Sequence, residues 1–322
     1  LHNSPHSFPT RRSSDLAIER GLAWLVQEQD VTSGAFKGRI PCTYTALACM
    51  ALMASGHSDG RSPYGEHLRR GILFLAREAQ NKNGYLGGDG GRMYGHGIAT
   101  LALCEAYGML AKPEDNQTVR RAIDLAVKLI LNSQAKSGAP AGGWRYEPAG
   151  NDADLSVTVW QILALRSAQN CKLEVPEAAV GAALDYVRRT YVEGQGFCYQ
   201  PGGGASVPMR CAGVVCMKAL GADKTPDDQN RIEVSGKILE TVNPDGGAHY
   251  WYQSYYLATA ANMMGDKTRA DFLPKLEKSI LRLQQPAGAF AQHSGYDGGV
   301  YSTSFALICL AVRYQYLPIY QE

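Results

Sequence analysis

The chain has no C-x-x-C pair, no run of 18 or more apolar residues and no excess of either charge sign. Each absence closes off a class of protein. Without the long apolar run there is no integral membrane span. With 32 Lys and Arg against 30 Asp and Glu, a net charge of +2 gives no electrostatic reason to bind a polyanion, so nucleic acid is excluded as a partner. The eight cysteines (Cys42, Cys49, Cys104, Cys171, Cys198, Cys211, Cys216 and Cys309) sit mostly in apolar helical patterns. They read as free buried thiols and leave the redox compartment undecided. The glycine-rich stretches Gly87–Gly91 and Gly202–Gly204 do not follow strands, so they are inter-helix turns rather than phosphate loops.

What is present is a 322-residue chain, 45% apolar and 19% charged, which suits a globular fold with a large core. Its start reads differently. Ser7-Phe8-Pro9-Thr10-Arg11-Arg12-Ser13-Ser14-Asp15-Leu16 looks like a translated sequencing adapter, so residues 1–16 are set aside as a scar and 17–322 taken as one domain. The native start and any signal peptide are then out of view, and localisation stays open.

From Ala17 the chain repeats itself. Each unit has an amphipathic helix ending near a Gln or other polar residue, a glycine turn carrying an aromatic, and a second helix rich in Ala, Leu and Cys. The turns fall at Gly34-Ala35-Phe36, Gly84-Tyr85, Gly143-Trp144, Gly196-Phe197, Asn243-Pro244-Asp245-Gly246-Gly247 and Gly288-Ala289-Phe290. Aromatic plugs at roughly 42 to 59 residues fit an array of helical hairpins. First helices carry one charged stripe, such as Arg69-Arg70 and Arg120-Arg121, and so have one wet face. Second helices lack it and must be enclosed. Six enclosed helices inside six half-exposed ones predict an all-α, α6/α6 toroid of twelve helices, with the apolar tail Tyr314–Tyr320 sealing the ring against the first unit. A central apolar cavity, open where the inner helices begin, is expected.

The helix, Gln, Gly and aromatic pattern resembles the repeat shared by squalene-hopene and related triterpene cyclases and by protein prenyltransferase β-subunits. More narrowly it is similar to the prenyltransferase/squalene oxidase repeat-containing proteins of planctomycetes. The resemblance runs over residues 17–322. Triterpene cyclases carry D-x-D-D-T-A at the start of an inner helix, and Asp152-Ala153-Asp154-Leu155-Ser156-Val157 aligns with it, with Leu155 where the last carboxylate belongs. The resemblance makes Asp154 the candidate general acid, supported by Asp152. The bland reading is helix capping, worth about 1 kcal/mol.

His96, between Gly95 and Gly97, is a third catalytic candidate if it pairs with Asp154 across the cavity. Otherwise it is a hydrogen-bonded histidine at a tight turn, where the flanking glycines allow close approach of a ligand or a neighbouring helix. Trp144 and Trp160 read as plugs. The expected lining is Tyr44, Tyr94, Tyr146, Tyr199, Tyr250, Trp251, Tyr255 and Tyr301. Aromatic faces could steady a cationic intermediate by about 0.5 to 2 kcal/mol each.

Zinc prenyltransferases place D-x-C on one inner helix and His on the next. Here D-x-C is missing and Ser302 stands at the histidine position, so no metal and no cofactor are expected. D-D-x-x-D is missing too, and Asp227-Asp228 reads as a solvated loop. The C-G-E-Q thioester of complement-like toroids does not occur. Two functions result: an acid-initiated cyclase or isomerase of linear isoprenoids, or a non-catalytic barrel that holds a lipid, peptide or protein partner. An apolar small molecule is the expected ligand, and peripheral contact with a membrane surface stays open.

Overall fold

The computed structural model describes residues 12–293 and 299–321. Thirteen α-helices are formed among them: α1 (Ser13–Gln27), α2 (Pro41–Ala54), α3 (Gly65–Asn81), α4 (Arg92–Ala106), α5 (Pro113–Ser133), α6 (Leu155–Asn170), α7 (Glu177–Arg189), α8 (Val207–Ala219), α9 (Pro226–Gly236), α10 (Ile238–Thr241), α11 (Tyr250–Met263), α12 (Asp266–Leu281) and α13 (Val300–Ala311). Helices α9 and α10 flank Lys237 and together make one outer helix, which leaves twelve positions in two layers. Helix α1 begins at Ser13 and so takes Ser13–Leu16 into its first turn, while residues 1–11 lie outside the described residues.

The inner layer runs α2, α4, α6, α8, α11 and α13, each packed on the next, and α13 packs back on α2. The ring is closed. Burial follows the sequence pattern: every residue of α2 except Pro41 is buried, whereas α3 buries one stripe of Leu68, Ile72, Leu75 and Ala79. No described helix is long and apolar enough to cross a membrane.

Repeated polar residues do the joining. Gln29 Nε2 donates to Gly34 O in its own turn and to His67 O at the start of the next outer helix, both at 2.9 Å. Gln134 does the same with Gly142 O (3.0 Å) and Ala179 O (2.9 Å). Gln284 bonds Gly288 O (3.0 Å) and Ala17 O (2.8 Å), so the last unit is tied to the first by the same device. The turn glycine must be glycine on two counts. Gly142 has φ +88°, and a Cβ there would lie 1.9 Å from Ala182 O.

A hydroxyl then fixes the plug. Phe36 N, Trp144 N and Phe290 N donate to Thr45, Thr158 and Thr303 Oγ1 at 2.9 to 3.0 Å. These threonines sit in the first turn or just past it in their inner helices. In the second unit the corresponding bond runs from Leu86 N to His96 Nδ1 at 3.3 Å, so Leu86, not Tyr85, fills the plug position. The fourth turn adds a feature absent from the expectation, a two-stranded hairpin of β1 (Tyr191–Val192) and β2 (Gly196–Phe197). Asp227-Asp228 is not a solvated loop. It forms the first turn of α9, and Asp228, 1% exposed, pairs with Arg188 at 2.6 Å and Arg231 at 2.7 Å.

The C-terminal segment closes the ring at the end opposite the inner-helix starts. Ile319 N donates to Glu105 Oε2 (3.2 Å), Tyr320 OH to Tyr255 OH (3.1 Å), and Asn262 Nδ2 to Tyr320 O (3.0 Å). Tyr314 OH donates to Asp15 on the first unit. The centre of the ring is not the expected open cavity. Trp160 stacks on Tyr255 with centroids 4.9 Å apart, and Tyr256 and Phe305 close around the pair. Large rings from α6, α11 and α13 fill the space. Trp160 is thus the central filler rather than a plug between hairpins.

Glu105 is a buried carboxyl whose pKa is pushed up to about 7 by burial, against the bonds from Ser167 Oγ and Ile319 N that favour its charge. A carboxyl that holds its proton more tightly when folded stabilises the fold fully below its unfolded pKa and loses that contribution as pH rises through the folded one. Relative to Glu105→Gln, the wild type is expected to lose about 1.4 kcal/mol of unfolding free energy per pH unit between 4.5 and 7, then run parallel above. Urea melts of both proteins across pH 4 to 8 check this. Parallel curves throughout would show that Glu105 titrates normally.

Candidate functional site

All six inner helices begin at one end of the ring, and the loops leading into them are sewn together. Met93 N at the start of α4 donates to Tyr146 O (2.9 Å), and Leu155 N at the start of α6 donates to Tyr199 O (2.8 Å). Tyr146 and Tyr199 each lie two residues after a plug, Trp144 and Phe197. The stitching therefore sets both side chains at the mouth. Tyr94, Tyr252 and Tyr301 join them from the first turns of α4, α11 and α13, and all five are half-buried. Their contacts form a collar. Tyr94 stacks on Tyr146 at 5.9 Å, Tyr146 OH meets Tyr199 OH at 2.5 Å, Tyr252 packs on Tyr256 at 4.8 Å, and Tyr301 meets Tyr44 at 6.1 Å.

Asp154 lies beneath this collar, fully buried. It is the N-cap of α6: Oδ1 accepts Val157 N at 2.9 Å and Ser156 Oγ at 2.5 Å. Oδ2 faces Arg145 Nη1 at 3.2 Å, an ion pair without hydrogen-bond alignment. Capping and a turn towards the mouth coexist in one side chain. Burial raises the Asp154 pKa from its ordinary value, while Ser156, Val157 N, Arg145 and Tyr199 pull the other way. Tyr94 OH bonds to Ser156 Oγ, so a hydrogen-bond chain runs from a half-buried phenol through Ser156 to the buried carboxylate.

Arg145 is the residue that sequence reasoning missed. Its guanidinium lies 4.4 Å from the Tyr146 ring centroid and 5.4 Å from that of Tyr199, and it also pairs with Asp152 at 3.4 Å. A single cation one residue past the plug and a few residues before two carboxylates was the available signal. Asp152 itself is solvent-facing and accepts from Gln200 Nε2 at 3.2 Å. Two carboxylates face one guanidinium, and the nearby Arg92 is paired with Glu147 at 3.4 Å. Arg145 and Arg92 thus each have a carboxylate partner.

His96 is not placed with this group. Its Nδ1 accepts Leu86 N and its Nε2 meets Ala126 O of outer helix α5 at 3.2 Å, so both ring nitrogens are engaged by backbone on the outer side. Burial brings its pKa down to about 4, which keeps it neutral. It takes the position that threonine holds in other units. The flanking glycines serve helix packing: a Cβ on Gly95 would meet Thr43 Oγ1 of α2 at 2.3 Å, and one on Gly97 would meet Gln161 Nε2 of α6 at 2.5 Å.

The proposed lining divides by helical face. Tyr94, Tyr146, Tyr199 and Tyr301 reach the mouth, and Tyr44 is buried beside Tyr301. Tyr255 lies in the filled centre. Tyr250 and Trp251 turn outwards instead: Tyr250 OH bonds Ser279 Oγ of α12 at 2.8 Å, and Trp251 Nε1 donates to Ala291 O at 3.1 Å. A step of 100° per residue puts Tyr252, not Tyr250, on the inner face. Ser302 Oγ donates to Phe290 O at 2.6 Å, and among the described residues no His, Cys, Asp and Glu side chains gather as a metal-holding group.

No curated protein sequence matches the chain. Among solved structures, the type II terpene cyclase MstE from Scytonema is similar at 15% identity and a TM-score of 0.61, covering 94% of this chain and 98% of that one. A variant of that cyclase in complex with its substrate geranylgeranyl dihydroxybenzoate gives 14%, 0.60, 95% and 98%. A glycosidase variant gives 13%, 0.62, 95% and 98%. At these identities the likeness is one of fold, and it spans cyclase and glycosidase alike. The model of the prenyltransferase alpha-alpha toroid domain matches residues 149–254 and 248–320, more than half of the sequence, and the chain belongs to that family.

Proposed function

We propose that the protein binds a small, largely apolar molecule with a neutral polar head at the tyrosine collar, and that it does not enclose a long isoprenoid in the ring. The observation that carries this reading is the aromatic filling of the centre by Trp160, Tyr255 and Tyr256, beside half-buried tyrosines gathered at the mouth. Tyrosine offers a flat apolar face and a hydroxyl, which suits a ligand with one greasy and one polar end. Arg145 is already matched by Asp152 and Asp154, so a hydroxyl or carbonyl head fits the mouth better than a diphosphate.

A second reading, acid-initiated cyclisation, is favoured by one observation, the fully buried Asp154 with its pKa raised at an inner-helix start. In that case Asp154 gives its proton to an alkene, with Ser156 and Val157 N steadying the carboxylate left behind. Asp152 would act only through Arg145. The second reading requires the collar or Arg145 to move aside, because Asp154 has no exposed surface.

Calorimetric titration with farnesol and with farnesyl diphosphate, followed by mass spectrometry of the recovered ligand, separates the two. The binding reading expects farnesol recovered unchanged, weaker binding of the diphosphate, and affinity about 10-fold or more lower in Tyr199→Ala. A cyclised product that vanishes in Asp154→Asn would replace it with the second.

A further inference from the structure

We propose that Cys104 and Cys171 form a reversible disulfide that staples α4 to α6 at the closed end of the ring. Cys104 lies in the last turn of α4, and Cys171 is the C-cap of α6. These two inner helices are neighbours and run in the same direction, so their ends coincide. The Cys171 thiol donates to Cys104 O at 3.1 Å, which sets the two cysteines side by side at the same level of the ring. Cys104 is buried at 2% exposure, while Cys171 is half-buried and gives an oxidant its way in.

The pair is chemically unequal in a useful sense. The neighbouring Cys104 lowers the Cys171 pKa against burial and the Glu105 charge, and Arg120 assists. Cys104 is raised, chiefly by burial. Cys171, the one of the two that solvent reaches, is the attacking sulfur once it has released its proton, and Cys104 is the resolving thiol. The oxidant is a hydroperoxide. The Cys171 sulfur attacks one peroxide oxygen, an S–O bond forms, the O–O bond breaks, and an alcohol or water departs. The Cys104 sulfur then attacks the Cys171 sulfenic sulfur, the S–S bond forms, the S–O bond breaks, and water leaves with the remaining proton. Two electrons pass from the two thiols to the peroxide. Cys49, Cys211, Cys216 and Cys309 are buried with thiols raised by burial, which keeps them out of the reaction.

The experiment uses the intact chain: stoichiometric hydrogen peroxide, alkylation of remaining thiols in denaturant, and peptide mapping without reductant. The expected result is a joined peptide pair carrying Cys104 and Cys171, two hydrogens lighter than the separate peptides and split by dithiothreitol. The cross-link closes a long loop, so the oxidised protein should melt roughly 5 to 10 °C higher than the reduced one. Cys104→Ser should leave Cys171 as a sulfenic acid that dimedone traps, with no rise in melting temperature. A wild-type map in which Cys171 is oxidised to sulfinic acid while Cys104 is still alkylated would overturn the proposal. So would a bridge to any other cysteine or between two chains.

Discussion

Asp154→Ala is expected to lower the unfolding free energy by about 2 to 4 kcal/mol. The change removes the N-cap of α6, orphans the Val157 N–H, leaves the Ser156 hydroxyl with Tyr94 OH alone, and leaves Arg145 with only the exposed Asp152. Asp154→Asn keeps an acceptor at the cap and escapes the burial of charge, so its loss should stay near 1 kcal/mol. The order of the two variants is the test. Urea denaturation at pH 7 that finds Asn as damaging as Ala would assign the stabilisation to the ion pair with Arg145. The pH dependence has a definite sign. Because burial raises the folded pKa above 3.8, the difference between wild type and Asn moves against the wild type as pH rises from there through the raised value.

Trp160→Ala should cost about 3 to 5 kcal/mol, because it empties the middle of the ring where Tyr255 and Tyr256 lean on the indole. Trp160→Phe should cost roughly 1 kcal/mol. It keeps a ring in the stack and removes a buried indole N–H that has no hydrogen-bond partner among the described residues. Thermal melts and urea midpoints of the pair measure the difference. Similar small losses for both would mean that the centre is loosely packed and open to ligand.

The repeats were legible because each depends on a residue type with one physical job. Glycine supplies a positive φ and a close approach at Gly34, Gly142 and Gly288. The paired glutamines at Gln29, Gln134 and Gln284 bridge each turn to the next outer helix, and the uncharged inner helices are enclosed. Closure of the ring was readable in the same way, since Gln284 and Gly288 meet Ala17 and Arg20 as earlier units meet their successors.

The site was read less well. His96 drew attention as an imidazole among glycines, yet aligning the units by turn assigns it the job of Thr45, Thr158 and Thr303. Composition points to chemistry there, and position points to a hydrogen bond. Tyr250 and Trp251 were grouped with their neighbours because they are aromatic, although helical phase turns them outwards and puts Tyr252 and Tyr256 inwards. The filled centre was hidden for a different reason. Sequence tells that Trp160, Tyr255 and Phe305 are buried but not at what radius, and only the closed ring brings them together.

The measurement that tests the central claim most directly is calorimetric titration of farnesol into the wild type, Tyr146→Ala, Tyr199→Ala and Trp160→Phe. Binding at the collar predicts affinity lowered about 10-fold or more by each tyrosine change and hardly altered by Trp160→Phe. Affinity that ignores the tyrosines and responds to Trp160→Phe would place the ligand in the ring centre and contradict the account.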